Sequence, residues 1–112
     1  MSAGTFSKVG TLTIPNGQSV SAALAATDYH GAIALSITAP AALTNTVTLE
    51  AADAETSPNY RTVQSPPGTD LSVGAGKSIV LLAFPWPGFR LKSSGNEGAD
   101  RVFVIWAQFP RN

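Results

Sequence analysis

The stretch that most constrains the fold is residues 101–109, which read Arg-Val-Phe-Val-Ile-Trp-Ala-Gln-Phe. Its β-branched and aromatic residues favour a strand. A strand buried on one side alternates apolar and polar residues, but here both faces are apolar: Val102, Val104 and Trp106 on one, Phe103, Ile105 and Ala107 on the other. We therefore predict a central strand with one face against the domain's second sheet. The other face needs cover from a loop, an arm or another chain.

Composition narrows the class of protein. The chain has 112 residues, no cysteine and a net charge of zero, and 12% of its residues are charged, against about 25% in an average globular protein. This length suits one domain without disulfides. A neutral chain is a poor partner for nucleic acid or an anionic membrane, so we expect neither. With no basic-then-apolar leader and no apolar run of about 18 residues, we expect a soluble product.

Short alternating segments separated by turn residues occupy the rest of the chain. We predict strands at residues 9–14, 18–24, 32–38, 46–53, 59–64, 70–73, 78–83, 89–93 and 101–109. No helix of normal length is expected. The predicted class is an all-β antiparallel β-sandwich, jelly-roll-like, with eight or nine strands. Its single domain would span residues 9–112.

Residues 1–8 are small and polar apart from Phe6, and we interpret them as an N-terminal arm. Such an arm either frays as a chain terminus or lies on a neighbouring molecule with Phe6 as its anchor.

A second notable stretch is the loop at 84–89, Phe-Pro-Trp-Pro-Gly-Phe. Its prolines restrict the backbone, so holding one conformation costs little entropy. Three aromatic residues in six cannot all face water without a large apolar patch. The loop is either a lid whose Trp86 closes one end of the core, a rigid display of Trp86 to a partner, or a platform on which a sugar stacks. Trp is over-represented among binding hot spots.

Catalytic patterns are weak. His30 is the only histidine. Asp53 and Glu55 are close to each other in the sequence, but they lack the ligand spacing of a calcium loop. A glycosidase would need a carboxylate pair in a cleft, and this short domain offers no long loops to build one. The sequence Gly-Ala-Gly-Lys-Ser at 74–78 resembles the end of a phosphate-binding loop, but the required first glycine is replaced by Leu71. We predict a tight turn there and expect no enzyme activity, no cofactor and no metal.

Four segments carry a resemblance to a known class of protein. They are Leu-Thr-Ile-Pro-Asn-Gly-Gln-Ser-Val-Ser at 12–21, Gly-Ala-Gly-Lys-Ser-Ile-Val-Leu-Leu at 74–82, Phe-Arg-Leu-Lys-Ser-Ser at 89–94 and Arg-Val-Phe-Val-Ile at 101–105. With Ala-Pro-Ala at 39–41 and the strand at 46–53, they resemble small structural proteins of tailed bacteriophages, including head decoration, cement or staple proteins. The resemblance covers about residues 11–109 and implies a jelly roll that dimerises or trimerises and bridges capsid subunits.

On this resemblance we expect a non-enzymatic virion protein, made in the host bacterial cytoplasm. It would sit on the outer capsid surface and clamp neighbouring major capsid subunits. The alternative is a carbohydrate- or receptor-binding module of a head fibre or tail, with Trp86 stacked on a sugar. The expected partners are the major capsid protein and a second or third copy of the chain. The residues expected at these interfaces are Phe6, Phe84, Pro85, Trp86, Pro87, Phe89, Phe103, Trp106 and Phe109.

Overall fold

The computed structural model describes residues 3–82 and 86–110. The regular secondary structure of the described chain consists of nine strands and one turn of 3₁₀ helix, Ala26–Asp28. The strands are β1 (Ala3–Ile14), β2 (Leu24–Ala25), β3 (Ala34–Thr38), β4 (Val47–Ala52), β5 (Tyr60–Thr62), β6 (Ser72–Val73), β7 (Ser78–Leu82), β8 (Gly88–Ser93) and β9 (Arg101–Pro110).

The strands form two antiparallel sheets that pack face to face as a β-sandwich. The first sheet has the order β1-β9-β3-β7, and the second has the order β2-β8-β4-β5 with β6 also paired to β4. Apart from β6, the first strand pairs with the last, the second with the second-to-last, and so on: β1 with β9, β2 with β8, β3 with β7 and β4 with β5. This nested pairing is the order of a jelly roll. The predicted fold class is confirmed.

The core lies between the sheets and is filled by alternate residues of each strand. In β9 the inward residues Phe103, Ile105 and Ala107 are fully buried, so this is the one of the two apolar faces of the predicted strand that meets the second sheet. They face side chains of the second sheet, of which Leu49 and Leu91 are also fully buried. Each large aliphatic or aromatic side chain buried in this way contributes about 1.5–3 kcal/mol.

Turns predicted from glycine form where expected. Gly17 and Gly76 have φ angles of 79° and 68°, which L-residues with a side chain rarely adopt. Lys77 N donates to Gly74 O (3.0 Å), closing the turn between β6 and β7. The phosphate-loop-like sequence is therefore a β-turn leading into a strand.

The predicted N-terminal arm is wrong for the described residues, because β1 begins at Ala3 and pairs with β9 along its length. Phe6 lies opposite Gln108 and Lys8 opposite Trp106. Ala3, Gly4 and Lys8 have weak strand propensity, and pairing with the long β9 holds them in the strand. The sandwich therefore includes residues 3–8.

The strand predicted at 18–24 is also largely wrong. Only an isolated bridge at Val20 and the two residues of β2 pair there. The alternation of residues 18–24 would place Ser21 on the outward side with Ser19 and Ala23. Ser21 is instead buried, because its backbone N donates to Leu91 O (3.0 Å) and its hydroxyl accepts from Leu91 N (3.0 Å). A polar side chain that satisfies backbone groups thus overrides the alternating pattern.

Candidate interaction surface

The outward face of the first sheet carries almost no charge. We call it the neutral face, defined by the strand residues that alternate with the core-facing ones: Phe6, Lys8, Thr11, Thr13, Ala34, Ser36, Thr38, Ser78, Val80, Val102, Val104, Trp106 and Gln108. Lys8 is its one ionisable residue. Val80 is 57% exposed and Val102 is 44% exposed, and they are two of the three large hydrophobic residues exposed in the described chain.

Trp106 lies at the centre of the neutral face. It stands opposite Ser36 of β3 and reaches diagonally, so that its indole Nε1–H donates to Thr38 Oγ1 (3.2 Å). The Thr38 and Ser78 hydroxyls then share a hydrogen bond of 2.8 Å. These bonds tie β9, β3 and β7 together on the outside. Because its polar atom is satisfied, the half-buried indole presents apolar surface in a fixed position.

Small residues on β3 shape the neutral face. Ala34 and Ser36 are buried although they point outward. Val80 stands opposite Ser36 on the β7 side, as Trp106 does on the β9 side. The larger flanking residues therefore cover the small ones on β3.

The outward face of the second sheet has the opposite character, and we call it the charged face. The Arg90 Nε donates to Glu50 Oε1 at 2.8 Å, and the Arg90 guanidinium carbon lies 3.9 Å from the centre of the Tyr60 ring. Lys92 is exposed on the same face, opposite Thr48. Its ionised groups are paired within the chain or reach water, so this face needs no outside cover.

Two of the predicted interface residues, Phe6 and Trp106, come together on the neutral face. Phe89 and Phe103 were expected at an interface, but this is wrong because both are fully buried between the sheets. Phe109 is half-buried and packs against the same core. Aromatic residues in a strand look alike in sequence whichever sheet face they occupy, and only the register separates them.

Trp86 and Pro87 lie at one end of the sandwich, and Phe84 and Pro85 fall outside the described residues. The Tyr29 hydroxyl donates to Trp86 O (2.6 Å), and Ala26 N donates to Pro87 O (2.8 Å). Burial, and secondarily the charge of Asp28, raise the pKa of Tyr29 to about 12, so it stays a hydrogen-bond donor. Trp86 is half-buried against the core, which favours the lid interpretation for the part of the indole that packs inward.

Sequence reasoning missed a buried carboxylate, that of Glu97, which is only 1% exposed. Its Oε1 accepts from Thr44 N (2.8 Å) and Arg101 Nε (2.9 Å), and its Oε2 accepts from Ser93 Oγ (2.7 Å) and from both the backbone and side-chain nitrogens of Asn45 (3.0 and 3.1 Å). Burial by itself raises the pKa of this carboxyl, but the hydrogen bonds outweigh it and lower the pKa to about 2.

The role of Glu97 is structural. Its carboxylate joins the loop before β4 to the end of β8 and the start of β9, and its backbone bonds to Gly17 and Gln18 after β1. The signal in the sequence is weak: an acid four residues before Arg101 in a polar turn.

Two clefts on the described surface are large enough to hold a small molecule. The larger, of about 590 Å³, is lined by uncharged residues: Leu43, Thr44, Asn45, Thr46, Ser72, Val73, Gly74, Ala75 and Ser94. The smaller, of about 350 Å³, mixes charged, polar and apolar residues: Ala51, Ala52, Asp53, Arg61, Thr62, Val63, Gln64 and Trp86.

Within residues 3–82 and 86–110, no group of three or more potential metal ligands lies together. None of the helical structure in the same ranges is long and apolar enough to cross a membrane. A scan against protein-family models and searches of curated proteins and of solved structures give no match to this chain.

Proposed function

We propose that the chain is a non-enzymatic structural protein of a tailed bacteriophage virion, which coats the capsid exterior and clamps neighbouring major capsid subunits. The observation that carries the proposal is the neutral face. It presents Trp106, Val80 and Val102 with one ionisable residue among thirteen. Exposed apolar side chains on a face with so little charge are typical of an interaction site. The resemblance to decoration proteins supplies the identity of the partner.

The size of the neutral face decides how such a clamp would work. Strands about 4.8 Å apart and a ten-residue β9 give a face of roughly 15 by 33 Å, or about 500 Å². A standard stable interface buries about 800 Å² on each partner. One face therefore gives a modest contact, and strength on a shell comes from rim contacts and from many copies that act together.

The charge of the neutral face indicates the chemistry of its partner. Lys8 forms no salt bridge with any carboxylate of the described residues. Two copies packed through this face would bring two lysines and no acid into the contact. A capsid surface that is mostly apolar with one carboxylate complements it better. Dimers or trimers of the chain would then form through other surfaces, such as sheet edges.

The decisive experiment is the copy number of this protein in purified virus particles, by quantitative mass spectrometry against the major capsid protein. A copy number comparable to that of the shell protein is expected. A small copy number would favour the head-fibre or tail alternative instead. Absence from the particles would overturn both.

A second experiment tests the clamp itself. Shells produced without this protein should bind the purified chain in co-sedimentation and should release their DNA at a higher temperature once it is bound. Binding without any gain in shell stability would contradict the clamp while leaving the coating role in place.

A further inference from the structure

The smaller cleft lies away from the neutral face, between β4, β5 and Trp86. Ala51, Ala52 and Val63 give it apolar walls, and the polar side chains stand along β5 and the turn after β4. Its volume of about 350 Å³ is within the range of about 300–1,000 Å³ that small-molecule sites occupy. The combination of an apolar floor with a few convergent polar groups is the usual make-up of such sites.

Two polar groups of this cleft are held in place by the backbone. The Asp53 carboxylate accepts from Asn59 N (2.8 Å). The Gln64 amide accepts from Gly68 N (2.9 Å) through its oxygen and donates to Asp70 (3.1 Å) through its nitrogen. These bonds fix both side chains before any ligand arrives, which lowers the entropy cost of binding.

The charges of the cleft select for a neutral ligand. Arg61 Nη2 lies 4.0 Å from Asp53 Oδ2, and the Arg61 side chain is 77% exposed. The pair offers donors and acceptors side by side with no net charge. An anionic ligand would meet the Asp53 carboxylate, and a cationic ligand would meet the guanidinium. A ligand whose groups both donate and accept, such as a hydroxyl, suits both.

Trp86 supplies an aromatic side chain at the edge of the cleft. Its backbone carbonyl is anchored by the Tyr29 hydroxyl, and the residue is half-buried with part of its surface lining the cleft. The negative face of an aromatic ring attracts the slightly positive C–H groups on one side of a pyranose ring. We propose that this cleft binds a neutral pyranoside, with Trp86 against the sugar ring and Asp53 and Arg61 on its hydroxyls.

The larger cleft does not fit the same ligand. It has no aromatic or charged lining residue. The sugar site belongs to the second sheet, whereas the proposed capsid contact belongs to the first. Binding to a shell and binding to a glycan are therefore separate functions of one domain.

The test is a screen of the full chain on an array of neutral oligosaccharides of glucose, galactose, mannose and N-acetylglucosamine, with sialylated and sulfated glycans on the same array. We expect binding to at least one neutral glycan and weaker binding to the charged ones. With Trp106→Phe, the sole remaining tryptophan is Trp86, and its fluorescence should change on titration with the best neutral glycan.

Substitutions then locate the site. Arg61→Ala and Asp53→Asn should each weaken binding about tenfold, because each removes charge-assisted hydrogen bonds. The matched control is Lys92→Ala, which removes an exposed cation of the same sheet outside the cleft and should leave affinity unchanged. Three results would overturn the proposal: no neutral glycan bound, a preference for charged glycans, or equal affinity in the two cleft variants and the control.

Discussion

The neutral face and the charged face belong to the same sandwich, yet they differ in how their side chains are satisfied. On the charged face, Arg90 bonds to Glu50 and stacks on Tyr60, so the chain satisfies its own ionised groups. On the neutral face, Trp106, Thr38 and Ser78 bond to one another through uncharged groups, and Val80 and Val102 remain exposed. One face is complete in the isolated chain, whereas the other gains by burial against a partner.

Removing the buried charge of Glu97 should change stability more than any other substitution, because it destabilises the whole sandwich and with it both faces. Glu97→Gln replaces the carboxylate that receives five hydrogen bonds, and leaves Arg101 without its anion. Breaking a buried charged pair costs about 3–5 kcal/mol, so the free energy of unfolding in urea should fall by about that amount. Glu55→Gln is the control, because Glu55 is exposed. Equal stability of the two variants would contradict the structural role of Glu97.

Low pH should destabilise the chain through protonation of the Glu97 carboxylate. The pKa of Glu97 is lowered from 4.5 in the unfolded chain to about 2 in the folded one, so the unfolded state takes up the proton more readily. Its stabilisation is therefore present above about pH 4.5 and is lost as the pH falls towards about 2. The unfolding free energy of the native chain should fall over this window, and that of Glu97→Gln should fall less. Parallel curves would show that another carboxyl controls acid stability.

A charge placed on the neutral face should weaken shell binding, whereas the same charge on the outward side of the second sheet should not. Val80→Glu adds a carboxylate at an exposed position, so the fold should keep its stability. Buried against a partner without a counter-ion, that charge should weaken binding to shells by about 2–5 kcal/mol. Ser72→Glu adds the same charge to the outward side of the second sheet and should bind normally. If both variants bind shells equally well, the neutral face is not the contact.

Truncation of the central aromatic residue sharpens the same comparison. Trp106→Ala removes the half-buried indole and should weaken shell binding by about 2 kcal/mol or more, as expected for a hot spot. Thermal unfolding should show only a modest loss, because the side chain is partly exposed and its hydrogen-bond partner Thr38 keeps the Ser78 hydroxyl. A variant that unfolds would assign Trp106 to the fold instead. Trp106→Phe, which keeps the ring, should retain most binding.

The smallest effect concerns the charged face. Glu50→Gln keeps a hydrogen-bond acceptor for Arg90 but removes the opposite charge. The unfolding free energy should drop by about 1–2 kcal/mol, while co-sedimentation with shells should remain unchanged. Reduced shell binding at unchanged stability would mean that this face also contacts the capsid, and the distinction between the two faces would fail.

The fold class and most of the strands could be predicted from local patterns in the amino-acid sequence. Alternation at Leu35 and Ile37, or at Val47 and Leu49, records which side chains leave water, and this pattern is local. Turn glycines record a backbone angle that other residues rarely adopt. These signals need no knowledge of the partner strand, so they can be recognised in the sequence alone.

The positions of the aromatic and charged residues, in contrast, depend on how distant strands and loops pack together. Phe103 and Trp106 are three residues apart in one strand, and the opposing sheet buries the first while the second stays at the surface. Residues 3–8 become a strand because β9 pairs with them. Glu97 becomes a buried anion because two loops distant in the chain, the one before β4 and the one after β1, converge on it. Each outcome depends on contacts between distant segments, whose energies local sequence patterns do not encode.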